Sequence, residues 1–189
     1  MAIRHLYGVL AASLACGLAA CTTLVPETTA KLRALDYLND DLASLVVALD
    51  VPSPLQPVPE LSTFHFDFTS AGPGERHVAA ALTLPDPGEL AGTLPPPGNN
   101  RAEYLFGFSD ADKAALREAQ AWARGLPSGA ASARFPVSVT PHFCTNAPAD
   151  PSKLTYSVLV ALPNASGLQP LANAQPIAAT LKDGKLPAC

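Results

Sequence analysis

The sequence predicts an α+β fold, mainly an antiparallel β-sandwich or open sheet of about five strands, with an N-terminal amphipathic helix and one further helix, about 110–125, between strands. Three observations predict it. Short runs of alternating apolar and polar residues recur along the chain, the period of half-buried strands. Twenty prolines, in a chain of 189 residues, cluster between those runs rather than inside them. Two segments carry helical spacing instead.

The first helical segment is 29–50. Leu35, Leu38, Leu42, Leu45 and Leu49 step three, four, three and four, Leu32 and Val46 widen the stripe, Thr28 or Thr29 can cap the start, and Pro52 lies beyond the end. The stripe covers about two heptads, short of the three or four that a coiled coil needs. It reads as a helix packed on its own domain, or as a docking helix for an envelope protein partner. A β-rich domain is expected over 60–189.

Residues 62–69 alternate through Phe64, Phe66 and Phe68, and 77–84 alternate through Val78, Ala80, Leu82 and Leu84. Folded as a hairpin about Pro73, they set Phe68 opposite Val78, Phe66 opposite Ala80 and Phe64 opposite Leu82, which gives one wholly apolar face. Residues 103–109 place Tyr104, Phe106 and Phe108 on one parity, and 133–143 do the same with Phe135, Val137, Val139 and Phe143. Pro136 and Pro141 push that strand toward an edge or a bulge. Residues 154–162 alternate through Tyr156, Val158 and Val160, and Leu159 and Ala161 make the other face apolar as well, as a central strand requires. Between the third and fourth strands Ser109 caps a helix with Asp110 and Asp112 in its first turn and Arg124-Gly125 at its far end, and Ala115, Ala119, Trp122 and Leu126 form the inward face. The tail 167–189 reads as loop with a turn or two of helix around 176–182. Residues 85–100 form a long proline-rich loop, which stiffens a surface connection or presents a polyproline II stretch.

The chain opens Met1-Ala2-Ile3-Arg4-His5 and runs uncharged from Leu6 to Ala20, the layout of a signal peptide. Fifteen helical residues rise ~22 Å, against ~30 Å of hydrocarbon, so cleavage is favoured over a permanent span. The residues Leu18-Ala19-Ala20-Cys21 resemble the lipobox of bacterial lipoprotein precursors. The resemblance covers the first 21 residues alone. It implies removal of 1–20, a diacylglycerol on the Cys21 thiol, further acylation such as palmitate on the new amino group, and a tether over 21–28. Two or three acyl chains hold a protein stably where one does not. Thr22, in place of an inner-membrane-retaining aspartate, favours the periplasmic face of the outer membrane. Cys16 leaves with the signal and Cys21 carries lipid, so Cys144 and Cys189 remain, an even pair that reads as a disulfide in an oxidising compartment.

Losing Arg4 moves the net charge from −4 to −5, and neither value fits a nucleic-acid binder. No Gly-x-Ser-x-Gly elbow and no phosphate-cradling glycine loop is present. His142 and Cys144 could share a strand face as a nucleophilic pair, but the disulfide is the favoured use of Cys144. His65 and Asp67 share a face, and His77 lies diagonal to Asp67 in the expected hairpin, an arrangement that suits a weak site or a local ion pair. No metal-ligand spacing or cofactor motif accompanies them, so neither a metal nor a cofactor is expected. The reading that follows is a non-enzymatic, membrane-anchored envelope lipoprotein with an adaptor or structural role, bound to the bilayer through Cys21 and to a partner through the leucine stripe. The alternatives are a small-molecule, glycan or peptide binding module, and an inhibitor or hydrolase.

Overall fold

The computed structural model describes residues 25, 30, 35–69, 74–84, 98–127, 137–163 and 167–189. The signal segment, the motif 18–21, the tether apart from Val25, residues 31–34, Pro73, Pro136 and the loop 85–97 lie outside the described residues. Among the described residues the strands are β1 (Val46–Pro52), β2 (Leu55–Pro57), β3 (Thr63–Thr69), β4 (Glu75–Thr83), β5 (Arg101–Phe108), β6 (Val137–Thr140), β7 (Phe143–Thr145), β8 (Thr155–Ala161) and β9 (Leu168–Pro176), with one long helix, α1 (Asp110–Arg124). Seven strands form an open antiparallel sheet in the order β6-β3-β4-β5-β1-β8-β9, while β2 and β7 pair separately. The α+β expectation holds as an open sheet, larger than the five strands expected.

The N-terminal helix expected over 29–50 is corrected from Leu35 onward, where the chain forms turns and then a strand. Ala30 is helical, but Leu42–Ser44 form a single 3-10 turn and Val46–Pro52 form β1, which sits between β5 and β8. The leucine spacing concealed a period of two: Leu45, Val47, Leu49 and Val51 are all buried, and so is Ala48 on the other parity. Adjacent valines favour extended backbone, and two neighbouring strands supply the hydrogen bonds that a helix would have made internally.

The hairpin of β3 and β4 forms, in a register two residues away from the expected one. Phe64 pairs with Ala80, Phe66 with Val78 and Phe68 with Arg76. An even slip keeps every side chain on its own face, so the apolar pattern does not distinguish the two registers. The slip sends Arg76 over the Trp122 ring, 5.5 Å from its centroid. Gly74, at φ +134°, opens β4 against the same ring, and a Cβ there would stand 3.1 Å from Trp122 Cζ2. Leu84, expected to face inward, lies past the end of β4 and is exposed.

α1 begins as expected. Asp112 N–H donates to Ser109 Oγ at 3.1 Å and Ser109 Oγ donates to Asp112 Oδ2 at 2.7 Å, a reciprocal cap. Its inward face is rotated: Leu116, Ala119, Gln120 and Ala123 are buried, whereas Ala115 is exposed and Trp122 and Leu126 are half-buried. Gln120 fixes that rotation. Its Nε2 donates to the carbonyls of Tyr37 and Asp40, each at 2.8 Å, and so ties the helix to the turn before β1. Beneath α1, Phe64 packs on Phe66 with ring centroids 4.6 Å apart, and Phe108 meets both edge-on at 5.6 and 5.8 Å.

The expected fourth strand divides at Pro141 and His142 into β6, at one end of the sheet, and β7, which leaves it for β2. Proline cannot donate to a ladder, so the chain turns there. β8 is flanked by β1 and β9. The tail departs most from the loop expected of it, because Leu168–Pro176 form β9, while Ile177–Thr180 form a 3-10 turn where a turn of helix was expected. Two bulges interrupt β9, and its small polar residues hide the strand period.

Candidate functional site

The disulfide-tied tail builds a cleft. Cys144 on β7 is bonded to Cys189, with Cα atoms 4.9 Å apart. Thr145 N–H donates to Pro187 O at 2.9 Å and Cys189 N–H donates to Thr145 O at 3.1 Å, so the tail runs beside β7 as a short parallel stub. Between that stub and the 3-10 turn Pro59–Leu61 lies a cleft of about 690 Å³. Val58, Leu61, Phe143, Leu181 and Leu186 supply apolar walls, while Lys182, Asp183 and Lys185 bring charge to it. Leu61, one of these wall residues, is a large apolar side chain that is 58% exposed. A mostly apolar concavity of this volume with a few polar groups is what a small-molecule site requires.

His142 joins the same cleft, held by its backbone. Its N–H donates to Ser62 Oγ at 2.9 Å, and its carbonyl accepts from Val58 N–H at 2.8 Å. Ser62 Oγ in turn donates to Val58 O at 2.8 Å. The imidazole Nδ1 is buried with no hydrogen-bond partner among the described residues. A buried polar atom without a partner costs free energy on the order of 1–3 kcal/mol, which a ligand group that reaches it would recover. The sequence offered His142 only as a partner for Cys144. That pairing has no nucleophile, since the Cys144 sulfur is in the disulfide.

His65, Asp67 and His77 are not brought together as one site. His77 sits directly opposite Asp67 rather than diagonal to it, a consequence of the two-residue slip. Its Nδ1 lies 2.7 Å from Asp67 Oδ1 and its Nε2 3.1 Å from Glu75 Oε2, so one imidazole bridges two carboxylates. The hydrogen bond to Asp67, then that to Glu75, raises the His77 pKa. His65 is engaged elsewhere, with Nε2 2.9 Å from Thr63 Oγ1. The clip is exposed and is a local ion pair. Among the described residues no group of three or more His, Cys, Asp or Glu could hold a metal ion.

A second polar cluster was not legible in the sequence. Asp50 pairs with Glu103 across β1 and β5, and Arg101 Nε reaches both Asp50 carboxylate oxygens, at 2.8 and 2.9 Å. Arg101 Nη2 also donates to Asp50 O at 2.9 Å. Glu103 has no such partner, its Oε2 is buried and unpaired among the described residues, and burial followed by the Asp50 charge raises its pKa. The only signal was Asp50 within an apolar run, where a charge needs a counterion.

Most of the leucine stripe lies inside the domain. Leu42, Leu45 and Leu49 are core residues, and Leu35 and Leu38 are half-buried against them. No helix among the described residues is long and apolar enough to cross a membrane. The chain matches no family model, no curated protein and no solved structure.

Proposed function

We propose that this chain is a lipid-anchored envelope protein, cleaved before Cys21 and acylated there, whose folded domain is a non-enzymatic binding module for a small amphiphilic ligand. The anchor is supported by Leu18-Ala19-Ala20-Cys21 behind an uncharged run of fifteen residues. The binding role is carried by one observation, the cleft of about 690 Å³ between the disulfide-tied tail and the Pro59–Leu61 turn. Its apolar walls suit a hydrocarbon or ring system. Lys182 and Lys185 suit an acidic group on that ligand. Leu42, Leu45 and Leu49 are inside the core, which favours the binding module over an adaptor that docks through them.

The test is native mass spectrometry of the mature protein taken from its own membrane. A noncovalent adduct of small mass is expected, released on denaturation and absent from a Leu61→Arg, Leu186→Arg variant that keeps its thermal midpoint. An adduct that persists in that variant, or a wild-type protein with none, defeats the cleft reading. A stoichiometric protein partner in its place restores the adaptor.

A further inference from the structure

Val25 ties the chain just after Cys21 to one place on the fold. Its N–H donates to the carbonyl of Leu171 at 3.1 Å. Leu171 is skipped in the pairing of β9 with β8, between Pro170 opposite Leu159 and Ala172 opposite Val158, and β9 is one end of the sheet. Cys21 precedes Val25 by four residues. A chain extends at most ~3.6 Å per residue, so an acyl group on Cys21 is attached within ~14 Å of Val25. A tether that short does not let the domain stand off from the bilayer that holds it.

The same end of the fold lacks charge. Residues 154–181 contain no Asp, Glu, Lys, Arg or His. With 12 basic and 16 acidic residues in 189, a segment of 28 carries about four on average. Burial of β8 explains part of the deficit. It does not explain Gly167, Asn173, Ala174, Pro176, Ala178 and Ala179, which are exposed and uncharged. As an edge strand β9 is guarded by its bulges and prolines alone, and it carries no charge that would hold it in water. Neutral amides and small apolar groups sit readily at the level of lipid headgroups. The segment is followed by Lys182, Asp183 and Lys185, of which the two lysines suit phosphates.

We propose that β9 and the turn Ile177–Thr180 are the membrane-facing surface of this protein, lying at headgroup level on the leaflet that takes the acyl chains of Cys21. The proposal rests on the reading of Cys21 as acylated. It also gives the cleft a position, because Thr180 and Leu181 belong both to the segment 154–181 and to the cleft walls. The ligand entrance then opens beside the bilayer.

The experiment uses the full, lipidated protein reconstituted into phosphatidylcholine vesicles whose acyl chains are brominated near the headgroup. An environment-sensitive fluorophore is placed by a noncanonical residue at Asn173 or Ala178, with controls at Ala121 and Glu118 on α1, which packs on β3, β4 and β5. Probes at 173 and 178 should shift to the blue and be quenched several-fold more strongly by brominated lipid than the controls. Asn173→Glu with Ala178→Glu should remove protection from a fluorophore at Gln169. Intact mass separates the two failures. A protein that carries no diacylglycerol on Cys21 overturns the anchor and this surface together. An acylated protein whose edge probes stay as wet as those on α1 overturns the surface alone.

Discussion

Asp50 and Glu103 face each other across β1 and β5, and Arg101 pairs with the aspartate alone. Glu103 is therefore left half-buried beside a like charge, which holds its pKa above the ordinary glutamate range. For an acid shifted upward, the folded state favours the protonated form. The penalty is absent below the ordinary glutamate pKa and grows as pH rises from there through the folded value. Glu103→Gln should stabilise the protein at pH 7 by ~0.5 kcal/mol, the scale of a like-charged cross-strand pair. Denaturant midpoints at pH 7 and pH 3.5 check this, since the gain should vanish at the lower pH.

Arg101 shields Asp50 within a surface only about a quarter exposed, at 25% and 22% for the two side chains. Arg101→Met should cost ~2 kcal/mol, between the value for exposed pairs and that for a fully buried pair broken on one side. The cost should shrink by at least half in an Asp50→Asn background. A double-mutant cycle with no coupling would show that the pair contributes nothing.

His77 bridges Asp67 and Glu75, and both hydrogen bonds favour its protonated form. A histidine whose folded pKa is raised contributes stability that is fully present below its unfolded value and is lost as pH rises through the folded one. His77→Ala should therefore destabilise the protein at pH 5.5 and be nearly neutral at pH 9. Thermal midpoints of the two proteins across that range decide it, and a difference that does not depend on pH counts against the clip.

The rotation of α1 has a sharp mutational signature. Leu116 is fully buried and Ala115 is exposed, although Ala115 belongs to the face that the sequence turned inward. Leu116→Ala should cost ~2–5 kcal/mol, while Ala115→Ser should stay within ~0.5 kcal/mol. Equal costs at the two positions would restore the other face.

Cys144 and Cys189 close a loop of 45 residues. On the chain-entropy account that linkage is worth ~4 kcal/mol, so Cys144→Ser with Cys189→Ser should lower the unfolding free energy by up to that amount. The tail forms one wall of the cleft, so any ligand retained by the wild-type protein should be released in the same variant at temperatures where β1, β5 and β8 remain folded. Ligand retention alongside lost stability would place the ligand elsewhere.

Much of the strand content was legible because the alternation of Phe64, Phe66 and Phe68, or of Tyr156, Val158 and Val160, is a local property of the chain. The Ser109 cap was legible for the same reason. β1 was misread because Leu35 to Leu49 satisfies the helical spacing while Leu45 to Val51 satisfies the strand spacing, and periodicity alone does not arbitrate between them. β9 was missed because its bulges break the alternation that marks a strand. Of the polar clusters, Asp67 and His77 were found through a shared hairpin. Asp50 and Arg101 were not, since 51 residues separate them.

The sequence by itself determined which residues turn inward along β3 and β8 and where α1 starts, both from patterns that neighbouring residues impose on one another. Tertiary structure decided the rest. It chose strand over helix at Val46–Pro52 because β5 and β8 offered hydrogen bonds on both sides, and it chose a hairpin register that the apolar pattern leaves degenerate. It also assembled the cleft, whose walls come from segments more than 100 residues apart and meet only when the tail pairs with β7.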